Sequence, residues 1–172
     1  WSAAWSPDGK RILTGSEDGV AAIWNADGSG RPITYQAHAG DVRAAEWSPD
    51  GQRVVSSHFE NVAHVWRVDG SGEAVVLAGH TNVVQHATWS PDGARIVTAS
   101  PDTTARVWNA DGSGASAVRA VGAGQFRSAE WSHDGRRLLT ASSDGTARVW
   151  RADSPGDRHV LAGHTSGLYA AV

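Results

Sequence analysis

The chain has 172 residues, a formal net charge of −3 and no cysteine. That is about one domain of chain, its slight negative balance argues against an electrostatic grip on DNA or RNA, and a disulfide framework and thiolate chemistry are excluded. No apolar run approaches the length needed to cross a bilayer and no signal-peptide pattern opens the chain; with 20 glycines and no methionine, it reads as a turn-rich piece of something longer.

In chain order, Trp1 to Trp5 reads as a short strand entered part-way. Ser6-Pro7-Asp8-Gly9 is a tight turn, with proline fixing φ at its second position and glycine closing the fourth. A second strand, Arg11 to Ser16, runs into the Asp18-Gly19 hairpin signal, and a third ends at Trp24. Asp27-Gly28-Ser29-Gly30 turns the chain again, and a fourth strand near Ile33 to Tyr35 leads to His38.

This unit then repeats. Trp24, Trp66, Trp108 and Trp150 recur every 42 residues, as do Trp5, Trp47, Trp89 and Trp131, and Trp1 falls outside both sets. The first turn returns as Ser48-Pro49-Asp50-Gly51, Ser90-Pro91-Asp92-Gly93 and Ser132-His133-Asp134-Gly135. Units of approximately 1-36, 37-78, 79-120 and 121-162 follow, and 163-172 starts a further one. Each holds four short strands separated by turns, an all-β pattern with no room for a long helix. A four-stranded sheet this small cannot bury both faces alone, whereas copies stacked around an axis can. The strict period places both tryptophan sets in the core.

Ala78-Gly79-His80, Trp89-Ser90-Pro91-Asp92-Gly93, Asp102 and Val107-Trp108 together resemble a WD40 repeat. The resemblance covers the whole chain in four copies, although the residue after the signature tryptophan is Asn25, Arg67, Asn109 or Arg151 and never Asp. It implies a β-propeller with four blades of four antiparallel strands, and in each blade a structural network of His, Ser/Thr, Asp and Trp. The third unit would use His80, Thr98, Asp102 and Trp108; the second His38, Ser56, Glu60 and Trp66, with Glu in place of Asp. The first would use Thr14, Asp18 and Trp24 without a histidine. The fourth would use Thr140, Asp144 and Trp150, with Gly122 at the histidine position. His164 would open the next network. The chemistry is self-consistent, because a buried carboxylate needs donors and an indole N–H needs an acceptor.

Residues present once per unit are structural, whereas catalytic machinery is usually a single asymmetric constellation. The chain also lacks the nucleophile-elbow, phosphate-loop, zinc-protease and dinucleotide motifs, so no catalytic role and no cofactor is expected. His58, Glu60 and His64 lie close across one hairpin, but without a further clear ligand they are not assigned a metal. Function then rests on positions where the units differ. In the resembling family these lie on one rim of the disc and around the channel mouth. They are Arg43, His58, Phe59, Gln85, Phe126, Arg127 and Tyr169, mostly types enriched at interface hot spots. The expected function is a cytoplasmic, non-enzymatic scaffold or sensor binding proteins or peptides, with no nucleic-acid or membrane partner. The alternative is a small-ligand or glycan binder at the channel mouth, using Trp1 and Tyr169.

The family usually has seven or eight blades, so four should leave an open arc with two exposed sheet faces, a hazard unless covered. A larger propeller is favoured over self-association of two copies, because Trp1 to Ala4 and Tyr169 to Val172 would compete for one inner-strand position. A closed four-blade monomer ranks last.

Overall fold

The computed structural model describes residues 2–36, 41–154 and 158–171. Among the described residues the chain forms sixteen β-strands and no α-helix. The first sheet holds β1 (Ser2–Trp5), β2 (Arg11–Gly15), β3 (Val20–Asn25) and β4 (Ile33–Gln36). The second holds β5 (Val42–Trp47), β6 (Arg53–His58), β7 (Val62–Arg67) and β8 (Val75–Ala78). The third holds β9 (His86–Trp89), β10 (Arg95–Ala99), β11 (Thr104–Asn109) and β12 (Ala117–Val121). The fourth holds β13 (Phe126–Trp131), β14 (Arg137–Ser142), β15 (Ala147–Arg151) and β16 (Arg158–Leu161). Each sheet is an antiparallel meander in sequence order, and together they are four blades of a β-propeller.

Turn chemistry sets these boundaries. In the first blade the Gly9 N–H donates to Ser6 O at 2.9 Å, and the Arg11 N–H donates to Ser6 Oγ at 2.9 Å. The Ser6 hydroxyl donates to Asp8 Oδ1 at 2.6 Å, and Gly9 sits at φ 67°, where a Cβ is disfavoured. These bonds hold the Asp8 carboxyl below its ordinary range, the Ser6 hydroxyl most of all. The same lock recurs at Ser48, Ser90 and Ser132.

The core lies between blades. One face of the first blade (Leu13, Ala21, Ile23) packs on the second blade's Val42, Trp47, Val54 and Trp66. Val55, Val65 and Leu77 on the second blade's other face meet Val84, Trp89, Ile96 and Trp108. Val97, Ala105 and Val107 meet Phe126, Leu138 and Trp150. The tryptophan sets therefore fill blade–blade interfaces, with one correction. Trp5 is 63 % and Trp24 45 % exposed, against 5 % for Trp47 and 4 % for Trp66, because no blade among the described residues packs on that face of the first sheet. Among the described residues no hydrogen bond or core cluster joins the first blade to the fourth.

Candidate protein-binding rim

The rim is built by irregularities in the innermost strands. In β5 the register passes from Val42↔His58 to Ala44↔Ser57, so Arg43 is the extra residue of a bulge. In β13 it passes from Phe126↔Ser142 to Ser128↔Ala141, and Arg127 is the extra residue. Gln85, at the matching place in the third blade, precedes β9 and donates its N–H to Ala99 O at 2.9 Å. A bulge re-aims the side chain it carries and ends regular pairing, so Arg43 and Arg127 are turned out of their ladders.

These side chains are preorganised. The Arg43 guanidinium lies 4.6 Å from the Phe59 ring centroid and donates from Nη2 to Gln85 Oε1 at 3.0 Å, linking two blades. The Arg127 guanidinium lies 6.0 Å from the Tyr169 ring. Phe59 is 42 % and Tyr169 81 % exposed. Cation–π pairs at such sites contribute about 0.5–1 kcal/mol, enough to bias a rotamer while leaving each ring open on one side.

Two residues expected on the rim are not there. Phe126 is fully buried, at the position of Val42 and Val84, with its ring edge-on to Trp150 at 6.3 Å. His58 is also fully buried, with Nε2 2.9 Å from Ser56 Oγ and its ring 4.8 Å from that of His64. Glu60 stays on the exposed turn. Among the described residues no group of three His, Cys, Asp or Glu side chains is placed to hold a metal.

The blade networks differ in completeness. In the third blade the Trp108 indole donates to Thr98 Oγ1 at 2.8 Å. Thr98 Oγ1 lies 2.7 Å from His80 Nε2, and His80 Nδ1 2.7 Å from Asp102 Oδ2. One neutral tautomer satisfies all three: indole to hydroxyl, hydroxyl to Nε2, and Nδ1–H to carboxylate. Burial lowers the His80 pKa, which favours that neutral form. Burial raises the Asp102 pKa, but hydrogen bonds from Thr104 and His80 outweigh it and the net shift is down. In the first blade the Trp24 indole donates to Thr14 Oγ1 at 2.9 Å, and Asp18 accepts the Val20 N–H.

In the fourth blade the Trp150 indole donates to Thr140 Oγ1 at 2.9 Å. Asp144 is held by Arg148 Nη2 at 2.6 Å, so an arginine from the third strand does the missing histidine's work. Burial opposes ionisation of Asp144, yet donors from Thr146, Arg148 and Ser142 bring its pKa down to about 2. The second blade departs furthest from expectation. Ser56 partners His58, Glu60 points to solvent, and the buried Trp66 indole N–H has no hydrogen-bond partner among the described residues. Trp66 instead stacks on Tyr35 of the first blade, 5.1 Å apart and 15° from parallel. His38, Trp1 and Val172 lie outside the described residues. His164 is exposed on the tail.

Two features escaped the sequence reading. Glu46, Thr88 and Glu130 occupy one position on successive inner strands, with His86 Nε2 3.6 Å from Glu130 Oε1. Burial pushes the Glu46 carboxyl up to about 7, and the Glu130 charge adds to it; burial does the same to Glu130. The second feature is an arginine opening each second strand. Arg11 lies 5.0 Å from the Trp47 ring and donates to Gly51 O at 3.3 Å. Arg53 lies 4.7 Å from Trp89 and bonds Gly93 O at 2.9 Å. Arg95 lies 4.7 Å from Trp131 and bonds Gly135 O at 3.2 Å. Each clasps the next blade. Recurrence of arginine at the 42-residue spacing was the available signal.

The family model described as "WD domain, G-beta repeat" matches residues 1–25, 31–67, 73–109 and 115–151. Among curated proteins, the chain is similar to the Periodic tryptophan protein 2 homolog of Dictyostelium discoideum, 44 % identical over 45 residues. That match covers 26 % of this chain and 5 % of the relative's length.

Proposed function

The chain belongs to the WD-domain, G-beta-repeat family, and from that premise we propose that it is a non-enzymatic interaction scaffold or sensor. Protein or peptide partners dock on the rim formed by Arg43, Phe59, Gln85, Arg127 and Tyr169. The observation that carries this reading is the pair of bulges that turn Arg43 and Arg127 out of their strands, each beside an exposed aromatic ring. Arginine and aromatic anchors are the types that dominate interface energies. The cytoplasm is the compartment of this reading. No helix among the described residues is long and apolar enough to cross a membrane. Self-association that completes the ring belongs to the same proposal.

The test is affinity capture from the source cell with wild type and an Arg43→Ala/Phe59→Ala/Arg127→Ala variant of unchanged denaturation midpoint. The variant is expected to lose partners that wild type retains. Identical partner sets contradict the assignment of this face.

A further inference from the structure

We propose that His86 and Glu130 share one proton between the inner strands of the third and fourth blades, and that gain or loss of this proton switches the rim between two geometries. This rests on the rim reading of the proposed function and adds its regulation by pH.

The histidine's other nitrogen places the proton. His86 Nδ1 lies 3.2 Å from Ala129 O, and a carbonyl oxygen only accepts, so Nδ1 carries the hydrogen. In the neutral ring Nε2 is then a bare lone pair, and it faces Glu130 Oε1 at 3.6 Å. That is longer than a hydrogen bond, yet two acceptors facing each other repel unless one is protonated. One proton makes the contact attractive, either on Glu130 as a carboxylic acid or on His86 as an imidazolium. Burial disfavours both charged forms. It raises the Glu130 carboxyl to about 7, and it lowers the His86 ring, although the bond to Ala129 O opposes it. Below about pH 7 the pair is therefore neutral, with the proton on Glu130. Each side chain keeps 29 % of its surface exposed, so the proton exchanges with solvent without unfolding.

The surrounding elements bring no counter-charge to these carboxyls. Glu46 faces the uncharged Thr88 hydroxyl, and the Glu130 charge raises it further. The cross-strand partners of Glu46, Thr88 and Glu130 are Val55, Val97 and Leu139. From β1 comes Ala4, whose carbonyl takes the Trp47 indole N–H at 3.2 Å. Toward the first turns, Arg11 lies over Trp47, Arg53 over Trp89, and Arg95 over Trp131, where it pairs with Asp153. Arg137, opening β14, is exposed, and Arg106 of β11 donates to Ser116. Toward the rim, Arg43 and Arg127 stand over their aromatic rings, and His58 at the end of β6 contacts Ser56. Among the described residues no arginine forms an ion pair with Glu46 or Glu130.

The same strands carry the rim. Glu46 lies three residues along β5 from Arg43, and Glu130 three residues along β13 from Arg127. His86 follows Gln85, whose Oε1 accepts from Arg43 Nη2 at 3.0 Å. With the proton bound, the three inner strands close over neutral groups, and Gln85 is held for that bond. Without it, Glu46 and Glu130 are like charges with no cation between them, and Glu130 faces the His86 lone pair. That contact then opens, His86 shifts, and Gln85 moves with it. Arg43 loses its inter-blade partner and changes its position over Phe59, one of the two anchor pairs of the rim.

Nuclear magnetic resonance of the isotopically labelled chain, titrated through the Glu130 value of about 7, tests this with no partner present. In wild type the neutral His86 ring is expected to carry its hydrogen on Nδ1, with Nε2 bare. The Glu130 carboxyl carbon should titrate near 7, and the Arg43 Nε–H should change its ring-current shift from Phe59 with the same midpoint. Glu130→Gln offers His86 Nε2 an N–H at every pH, so it should hold Arg43 in its low-pH position throughout. Glu46→Gln should keep the step and move it to lower pH, because a like charge is removed. A Glu130 carboxyl that titrates in the ordinary carboxylate range overturns the switch, as does a neutral His86 ring protonated on Nε2. Arg43 resonances that ignore the Glu130 midpoint also overturn it, and so does a step that survives Glu130→Gln or vanishes in Glu46→Gln. Partner capture with the Arg43→Ala/Phe59→Ala/Arg127→Ala variant reads the rim itself separately.

Discussion

At the residue scale the fourth blade shows how one lost side chain is replaced by two others. Gly122 stands where the third blade has His80. Arg148 reaches Asp144 instead, and Phe126 fills the space, its Cζ 2.9 Å from where a Gly122 Cβ would stand. Restoring histidine at 122 therefore forces Phe126 aside and crowds Arg148, whose Nη1 is 3.4 Å from the same point. Gly122→His is expected to destabilise by about 1–3 kcal/mol, the usual range for an overpacked core, rather than complete a network. A midpoint in urea at or above that of wild type contradicts it. Asp144→Asn should likewise cost about as much as Asp102→Asn, since it strips the partner from a buried guanidinium. A much smaller loss than for Asp102→Asn in the same titration counts against Arg148 as the replacement. The missing histidine at Gly122 was legible in the sequence, but its replacements were not. A lone Phe or Arg next to a glycine reads as a surface residue, and only packing shows which way it turns.

At the element scale the inner strands carry both the rim bulges and a pair of proton-loving carboxylates. Turns and strand order were legible because Ser-Pro-Asp-Gly and Asp-Gly demand specific backbone angles wherever they occur. The bulges were not, since an extra residue leaves no mark on a 42-residue period that all four units share. Nor were Glu46 and Glu130, whose significance depends on burial. The Glu46 pKa rises from 4.5 to about 7 on folding, so between those values the native state binds more protons than the unfolded chain, and stability falls as pH rises through that window. His80 works in the other direction: its pKa is lowered on folding, and the stability it protects is lost as pH falls below its ordinary value of 6.5. Comparing Glu46→Gln with wild type at each pH cancels the second effect. The variant should gain stability relative to wild type at pH 8 and lose that gain by pH 4.5. A difference in denaturation midpoint that is constant across this range contradicts the burial of that carboxyl.

At the scale of the whole molecule, the four blades of the described residues share three interfaces, and stability should behave as a sum of blade and junction terms. The blade count followed from the two tryptophan series, and the all-β class from the four short strands and recurring turns of each unit. The exposure of Trp5 and Trp24 did not, because a period alone does not show which sheet faces the described residues cover. The rim proposal depends on the same regularity: what repeats builds the disc, and Arg43, Gln85 and Arg127 stand at a position where the units differ. Hydrogen-exchange mass spectrometry of the chain with and without a captured partner tests that most directly. Added protection is expected around residues 41–44, 58–61, 83–86 and 125–128, with none at the Ser-Pro-Asp-Gly turns on the opposite side. Protection confined to those turns, with the rim segments unchanged, would contradict it.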